Sequence, residues 1–208
     1  MFVMTIDQKG SSHADDGVPG LLDLLRTVPA VVPFERSVGD EVQGVLDSPE
    51  AVVDVALRCL RERGWYVGIG VGDVELPLPS SPREGRGAAF VAARSAVERA
   101  KKAGDRASVA VDGCPGTAEA EGVLMLIGLH VTKRSAAEWR ILDLLEPGKW
   151  GSQTVAAKQL GVTSQAVSKA VARSAWVEEW AARPAAAVLL RRADSPRADV
   201  AAHSIIRD

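Results

Sequence analysis

Residues 32–46, VPFERSVGDEVQGVL, contain two apolar runs separated by Gly39-Asp40-Glu41. This pattern predicts a β-hairpin, because glycine and aspartate are common turn residues between β-branched runs. The bend also carries two adjacent carboxylates. They are either ordinary turn residues or ligands of a divalent cation, since paired acids on a rigid hairpin suit such an ion.

The segments on either side of the hairpin predict alternating strands and helices. Strands are expected over residues 1–8, 65–76 and 106–113, and helices over 20–27, from Pro49 to about Arg63, and over about 87–102. Ser48 as N-cap and Pro49 in the first turn mark the start of the second helix. With the hairpin, this order predicts a ferredoxin-like βαββαβ sheet with additions, an α+β fold in which the first strand lies next to the hairpin. The pattern over 117–146 is helical.

The composition is that of a soluble globular protein. The 208 residues are 47% hydrophobic and 25% charged, and this length favours a main domain with a small additional module. No apolar run approaches the ~20 residues of a membrane span, and no signal-peptide cleavage pattern follows the N-terminus. We therefore expect a cytoplasmic protein without a membrane partner.

The character of the chain changes between about residues 130 and 137. We expect an α+β domain over residues 1–132, an all-α domain over 133–193 and a flexible tail over 194–208. Residues 1–134 carry a net charge of −4 and residues 135–208 a net charge of +2. Between Trp150 and Val177 there are three basic residues and no acid, which favours a polyanionic partner.

The segment SQTVAAKQLGVTSQAVSKAVARSAW (152–176) predicts a helix-turn-helix. This motif needs a small residue where the helices cross, a glycine in the turn and a β-branched residue in the second helix. Ala157, Gly161 and Val167 have the matching spacing, and Thr163 or Ser164 can cap the second helix. Further apolar contacts are expected from Val155, Leu160 and Val162.

The second helix of this motif is expected to direct hydrogen-bond donors toward base edges and phosphates. The candidate DNA-binding residues are Thr163, Ser164, Gln165, Ser168, Lys169 and Arg173 in the second helix and its cap, and Ser152, Gln153 and Lys158 in the first helix. The alternative is a plain three-helix packing unit, which needs Ala, Gly and Val at the same places. The acid-free basic window favours DNA binding.

Four short segments resemble, in order, the class III nucleotidyl cyclases. DQKGSS (7–12) resembles their D-x-x-G-[FS]-[ST] pattern after the first strand, and RSVGD (36–40) resembles their K-x-x-G-D hairpin. VGIGVG and FVAARSA are similar to their next strand and to their N-x-A-A-R helix. The hairpin also resembles the GGDEF hairpin of diguanylate cyclases, with Val38 and Val42 in place of the first glycine and the phenylalanine.

The chain is more similar still to the SatD family, which joins a cyclase-like domain to a C-terminal helix-turn-helix. The shared features are the GDE-x-QG hairpin, the GIG strand, the helix that contains AR and the TKR segment at 132–134. This resemblance extends over nearly the whole chain and implies a two-domain architecture more firmly than it implies a reaction.

The cyclase resemblance also implies a set of site residues. It makes Asp7 and Asp40 candidate Mg²⁺ ligands and Arg94 the residue that would contact a triphosphate. Arg36 replaces the lysine that contacts the base and is the second ligand-binding candidate. Phe90 replaces the asparagine that orients the ribose and cannot make its hydrogen bond, so a nucleotide sensor is favoured over a cyclase.

Three hypotheses follow for the function. The leading hypothesis is a DNA-binding transcriptional regulator, a homodimer with double-stranded DNA and a nucleotide as partners, since helix-turn-helix proteins usually contact two half-sites. The alternative is an enzyme, a divergent Mg²⁺-dependent nucleotidyl cyclase or nucleotide-processing protein. In the third, Asp7 and Asp40 only cap turns in a structural domain.

Overall fold

A computed structural model describes residues 1–11 and 14–195. The five strands in this part of the chain are β1 (Phe2–Gln8), β2 (Val32–Arg36), β3 (Glu41–Leu46), β4 (Trp65–Val71) and β5 (Val109–Gly113). Its α-helices are α1 (Val18–Leu25), α2 (Pro49–Glu62), α3 (Ala88–Lys101), α4 (Thr117–Lys133), α5 (Ala136–Leu142), α6 (Ser152–Leu160), α7 (Ser164–Arg173) and α8 (Trp176–Asp194). Residues 196–208 of the predicted tail lie outside the described residues.

The predicted α+β class is confirmed. The strands form one sheet in the order β2-β3-β1-β4-β5, in which neighbouring strands are antiparallel except for the parallel pair β4–β5. The hairpin β2–β3 lies beside β1, as expected, with Asp7 directly opposite Glu41. The C-terminal end of β1 and the bend of the β2–β3 hairpin therefore lie at the same end of the strands.

Helices cover both faces of the sheet. The α1, α2, α4 and α8 helices pack on the face that carries Phe2, Met4 and Ile6, and these side chains belong to the main core. The α3 helix covers the opposite face, where Val3 and Val45 pack against its alanines. Successive side chains of a strand point to opposite faces, so alternate residues of β1 pack against the helices on each side of the sheet.

Two glycines in β4 allow α3 to lie very close to the sheet. A Cβ at Gly68 would be 2.4 Å from the carbonyl oxygen of Ala93, and a Cβ at Gly70 would be 2.0 Å from that of Ala89. Both distances are far below van der Waals contact. The alternating glycines of VGIGVG thus set the approach of α3, and with it the position of the side chains at its C-terminal end.

The helical segment expected over residues 117–146 is two helices rather than one. Arg134 leaves the helical conformation with ψ 135°, and Ser135 caps a new helix in which its hydroxyl accepts a hydrogen bond from the backbone N–H of Glu138. The Glu138 carboxylate accepts one in return from the backbone N–H of Ser135. This capping box starts α5 in a new direction.

The α5–α7 segment has a small apolar core of its own, whereas α8 returns to the sheet. The α8 side chains Ala186, Ala187 and Leu190 belong to the main core, where the helix packs against α2 and α4. The second unit predicted over 133–193 therefore shares its last helix with the sheet. The core of α5–α7 consists of Leu142, Leu145, Ala156, Ala157, Val167 and Val171.

Candidate functional site

The bend of the β2–β3 hairpin is held by Arg36. Gly39 has φ 60°, a left-handed conformation that glycine adopts without strain. Arg36 donates a 2.8 Å hydrogen bond from Nη1 to the carbonyl oxygen of Gly39, and its Nη2 lies 2.5 Å from Asp16 Oδ2. The predicted ligand-binding arginine thus fixes the turn that carries Asp40.

Asp7 faces the α3 side of the sheet together with its neighbours across the strands. Its partners in register are Glu41 on β3 and Tyr66 on β4. Residues directly opposite one another share a face, so the three side chains form one polar group at the end of the sheet. The C-terminal end of α3 lies over this group and brings Lys101 to it.

Lys101 forms ion pairs with one acid of this group, Asp7, and with Glu98 on its own helix. Its Nζ lies 3.0 Å from Asp7 Oδ2 and 2.9 Å from Glu98 Oε1. Burial raises the pKa of Asp7, Lys101 opposes this rise, and the charge of Asp40 adds to it. The pKa of Lys101 is raised because hydrogen bonds to Glu98 and Asp7 outweigh the effect of its burial. An ammonium group therefore stands next to a predicted metal ligand.

The fit of this group to a magnesium ion is limited. Mg²⁺ needs octahedral oxygen ligands, and within residues 1–11 and 14–195 no three His, Cys, Asp or Glu side chains come together in a way that could hold a metal. Glu41 has one buried carboxylate oxygen, Oε1, without a hydrogen-bond partner in the described chain. Asp40 is half-buried beside it. Metal binding by Asp7 and Asp40 stays a prediction.

The two α3 residues that the cyclase comparison singled out lie apart from the acids. Arg94 is exposed on α3, about two helical turns before Lys101, and makes no hydrogen bond or ion pair with the described residues. Phe90 is half-buried and packs in the apolar cluster with Val3 and Val45. Lys101 and Glu98 were not predicted, because only the path of α3 across the sheet brings them to Asp7.

The segment predicted as a helix-turn-helix forms two helices joined by Gly161, Val162 and Thr163. Gly161 ends α6 with φ 67°, and its N–H bonds to carbonyl oxygens of the last turn. Thr163 begins α7, where its hydroxyl accepts a 3.1 Å hydrogen bond from the N–H of Ala166. The helices contact each other through buried Ala157 and Val167. The roles assigned to Ala157, Gly161 and Val167 agree with this arrangement.

The solvent side of the two helices carries the candidate DNA-binding side chains. In α7 and its cap, Thr163, Ser164, Gln165, Ser168, Lys169 and Arg173 are exposed, and in α6 Gln153 and Lys158 are exposed while Ser152 is half-buried. Buried residues Val167, Ala170 and Val171 line the opposite side of α7. The helix therefore rests on an apolar support and projects only uncharged polar groups, alanines and cations outward.

Three details of this segment differ from expectation. Val155 is 61% exposed and Val162 42% exposed, so neither supplies the expected apolar contact. Buried Ala156 packs in place of Val155, because it lies on the α6 side that faces Leu142 and Leu145. Arg173 donates from Nε to Glu138 Oε1 at 2.9 Å and so also stabilises α5 against α7.

Trp150 is a candidate functional residue that was not predicted from the sequence. It lies in the loop before α6, between Gly148 and Gly151, which both have positive φ, and its side chain is fully exposed. A cavity of about 510 Å³ lies between Trp150, Trp176 and the first turn of α6. The flanking glycines were the available signal for a projecting loop.

No family model, curated protein or solved structure matches the chain. None of the helices within residues 1–11 and 14–195 has the length and apolar character needed to cross a membrane.

Proposed function

We propose that the protein is a DNA-binding transcriptional regulator in which α6, the Gly161–Thr163 turn and α7 form a helix-turn-helix. The observation that carries the proposal is the solvent side of α7. There, Gln165, Ser168 and Lys169 project from a helix whose opposite side is buried, and no acid occurs between Trp150 and Val177. A packing unit alone does not need a donor-rich outer face free of acids.

The side chains on α7 match the chemistry of the major groove. A glutamine can bond adenine N6 and N7 in a bidentate manner, and a lysine can bond guanine O6 and N7 or a phosphate. Gln165 lies in the first turn of α7, the part of a recognition helix that contacts base edges. Gln153 and Lys158 on α6 are positioned for phosphate oxygens, which set the register on the duplex.

For the sheet domain we propose the role of a nucleotide sensor of the SatD type. The order and directions of β1 to β4 agree with a ferredoxin-like sheet. The acids expected at the end of β1 and at the hairpin bend lie at the same end of the strands, with Asp7 opposite Glu41. The ammonium of Lys101 beside Asp7 favours ligand sensing over metal-dependent phosphoryl transfer, because it competes with a cation for that carboxylate.

An electrophoretic mobility shift with fragmented genomic DNA tests the DNA-binding proposal. We expect a subset of fragments to shift with the wild type, and the shift to be lost with the Gln165→Ala, Lys169→Ala double variant. Lys102→Ala is the matched control, because it removes an exposed cation at the end of α3, outside the α6–α7 segment. A shift that survives in the double variant, or no shift with the wild type, contradicts the proposal.

A thermal-shift titration with nucleoside triphosphates, with and without Mg²⁺ or Mn²⁺, tests the sensor proposal. We expect a triphosphate to raise the melting temperature of the wild type without being consumed, and a smaller rise in Asp40→Ala. Turnover of the triphosphate that is lost in Asp40→Ala favours the enzyme instead. No shift with any nucleotide contradicts both the sensor and the enzyme.

A further inference from the structure

The last helix, α8, is apolar on both sides. Its inner side packs against α2 and α4 through Ala186, Ala187, Leu190 and Ala193. Its outer side exposes no charged residue between Glu178 and Arg191. Apart from Glu178, the exposed residues over 177–190 are Val177, Trp180, Ala181, Pro184, Ala185 and Val188.

An outer side of this kind is unusual for a surface helix. Surface helices carry an apolar stripe toward the core and polar residues toward water, whereas helices that are apolar all round are covered. Val177 is 54% exposed and Val188 41% exposed, about 17 Å apart along the helix. A groove of about 570 Å³ between α2 and α8 adjoins this side, and its lining includes apolar Trp180, Pro184, Ala187 and Val188 as well as charged Glu50, Asp54, Arg183 and Arg191. Contiguous exposed apolar surface marks an interaction site.

The charges at the two ends of α8 identify the partner. Glu178 lies at the start of the apolar stripe and Arg192 at its end, on nearly the same side of the helix and about 21 Å apart. Both are exposed, and neither forms an ion pair with any described residue. One helix thus presents an acid, an apolar stripe and a base in sequence, which is complementary to the same helix running in the opposite direction.

We propose that α8 is the interface of a homodimer, in which the α8 helices of two copies pack antiparallel about a two-fold axis. Glu178 of each copy then meets Arg192 of the other. The midpoint between positions 178 and 192 is Ala185, so the axis passes a residue small enough for close approach. Such an interface is isologous, because the same surface of both copies closes on itself.

The dimer is compatible with the proposed DNA binding, but the evidence for the α8 interface does not rest on that function. In the antiparallel pair the two α8 helices begin about 27 Å apart along their shared direction. Each α7 ends three residues before α8 begins, so the two α7 helices flank the pair at its ends. This separation is of the same order as the ~34–36 Å between successive major grooves on one side of a duplex.

Sedimentation velocity of the full chain, over a wide range of protein concentration, tests the proposal. We expect a dimer for the wild type and an at least ~100-fold weaker dimer for Ala185→Arg, because like charges meet at the axis. Val91→Arg, which alters an exposed apolar residue of α3 on the other face of the sheet, should leave the dimer unchanged. Circular dichroism checks that each variant is folded.

Charge reversal tests the antiparallel direction. We expect Glu178→Arg to weaken the dimer by about tenfold, and the Glu178→Arg, Arg192→Glu double variant to restore it, because the exchanged charges again face opposite charges. A double variant that dimerises as weakly as Glu178→Arg contradicts the antiparallel arrangement. A monomeric wild type, or an Ala185→Arg variant that dimerises normally, overturns the α8 interface. A monomer that still shifts DNA overturns the interface alone and leaves the proposed function intact.

Discussion

Arg134 places a charged side chain in the protein interior, between the sheet domain and the α5–α7 segment. It is 2% exposed, and its Nη1 lies 2.5 Å from Glu179 Oε2 while Nε bonds the carbonyl oxygen of Ser174 at 3.0 Å. Its guanidinium lies 4.8 Å from the centre of the Trp139 ring. Nη2 has no partner among the described residues. A buried charge is tolerated only while its counter-ion is present.

Removal of that counter-ion should therefore be strongly destabilising. We expect Glu179→Gln to lower the free energy of unfolding by about 3–5 kcal/mol, because it leaves Arg134 buried without a carboxylate. Urea denaturation followed by circular dichroism measures this loss. The Arg134→Met, Glu179→Leu double variant should be more stable than Glu179→Gln, since an apolar pair carries no uncompensated charge. A double variant less stable than Glu179→Gln contradicts this account.

Glu138 makes the stability of the fold depend on pH in the acidic range. Hydrogen bonds from the Ser135 backbone, from Arg173 and from the Ser135 hydroxyl lower the pKa of Glu138 from 4.5 to about 2. The unfolded chain takes up the proton first as the pH falls. The carboxylate thus stabilises the fold fully above about pH 4.5, and this contribution is lost as the pH falls toward about 2.

Melting temperatures measured across that pH window test the role of Glu138. We expect Glu138→Gln to melt below the wild type near neutral pH and the two curves to converge as the pH falls from about 4.5 to about 2. A constant difference between the wild type and the variant over the whole window would show that the ionised carboxylate is not the source of the stability.

At the scale of elements, the contact between β4 and α3 depends on glycine. We expect Gly70→Ala to cost about 3 kcal/mol of unfolding free energy, because its Cβ would lie 2.0 Å from the backbone of α3. Gly122→Ala, in the middle of α4, has open space and should instead stabilise by about 0.5–1 kcal/mol. Chemical denaturation of both variants compares them. Equal effects would mean that backbone entropy, not the close approach, determines the outcome.

Local signals in the sequence were sufficient for several elements. The Ser48 cap and Pro49 predicted the start of α2, and Ser48 accepts the expected hydrogen bond, from the N–H of Ala51. The hairpin and its place beside β1 were also predicted. The division between α4 and α5 was missed, although Ser135 and Glu138 have capping-box spacing, because the apolar pattern continues across it. The alternating glycines of β4 indicate a close neighbour but do not name α3.

The candidate site could be predicted only where it depends on one segment. The exposure of Gln165, Ser168 and Lys169 follows from the helical period within α7. The pair of Arg173 with Glu138 joins residues 35 positions apart, and the pair of Asp7 with Lys101 joins residues that are 94 positions apart in the sequence. Contacts of this kind depend on how elements are packed, which a local pattern does not record.

In the whole molecule, an ion pair joins the sheet domain to the α5–α7 segment. Arg61 on α2 forms a bidentate pair with Asp143 at 2.6 and 2.7 Å and lies 4.2 Å from the centre of the Trp139 ring. Arg183 on α8 bonds Glu179 of the same helix and Asp54 on α2, and so holds α8 on α2. The Arg61 contacts connect the proposed sensor to the segment that contains the proposed DNA-binding helices.

The salt dependence of binding tests whether α7 contacts DNA. With a labelled duplex chosen from the shifted fragments, fluorescence anisotropy gives the slope of log K against log salt concentration. We predict that Lys169→Ala reduces the steepness of this slope by about 0.9, one phosphate contact, and that Lys102→Ala leaves it unchanged. A Lys169→Ala variant that binds with the affinity and the slope of the wild type would show that Lys169 on α7 does not contact DNA.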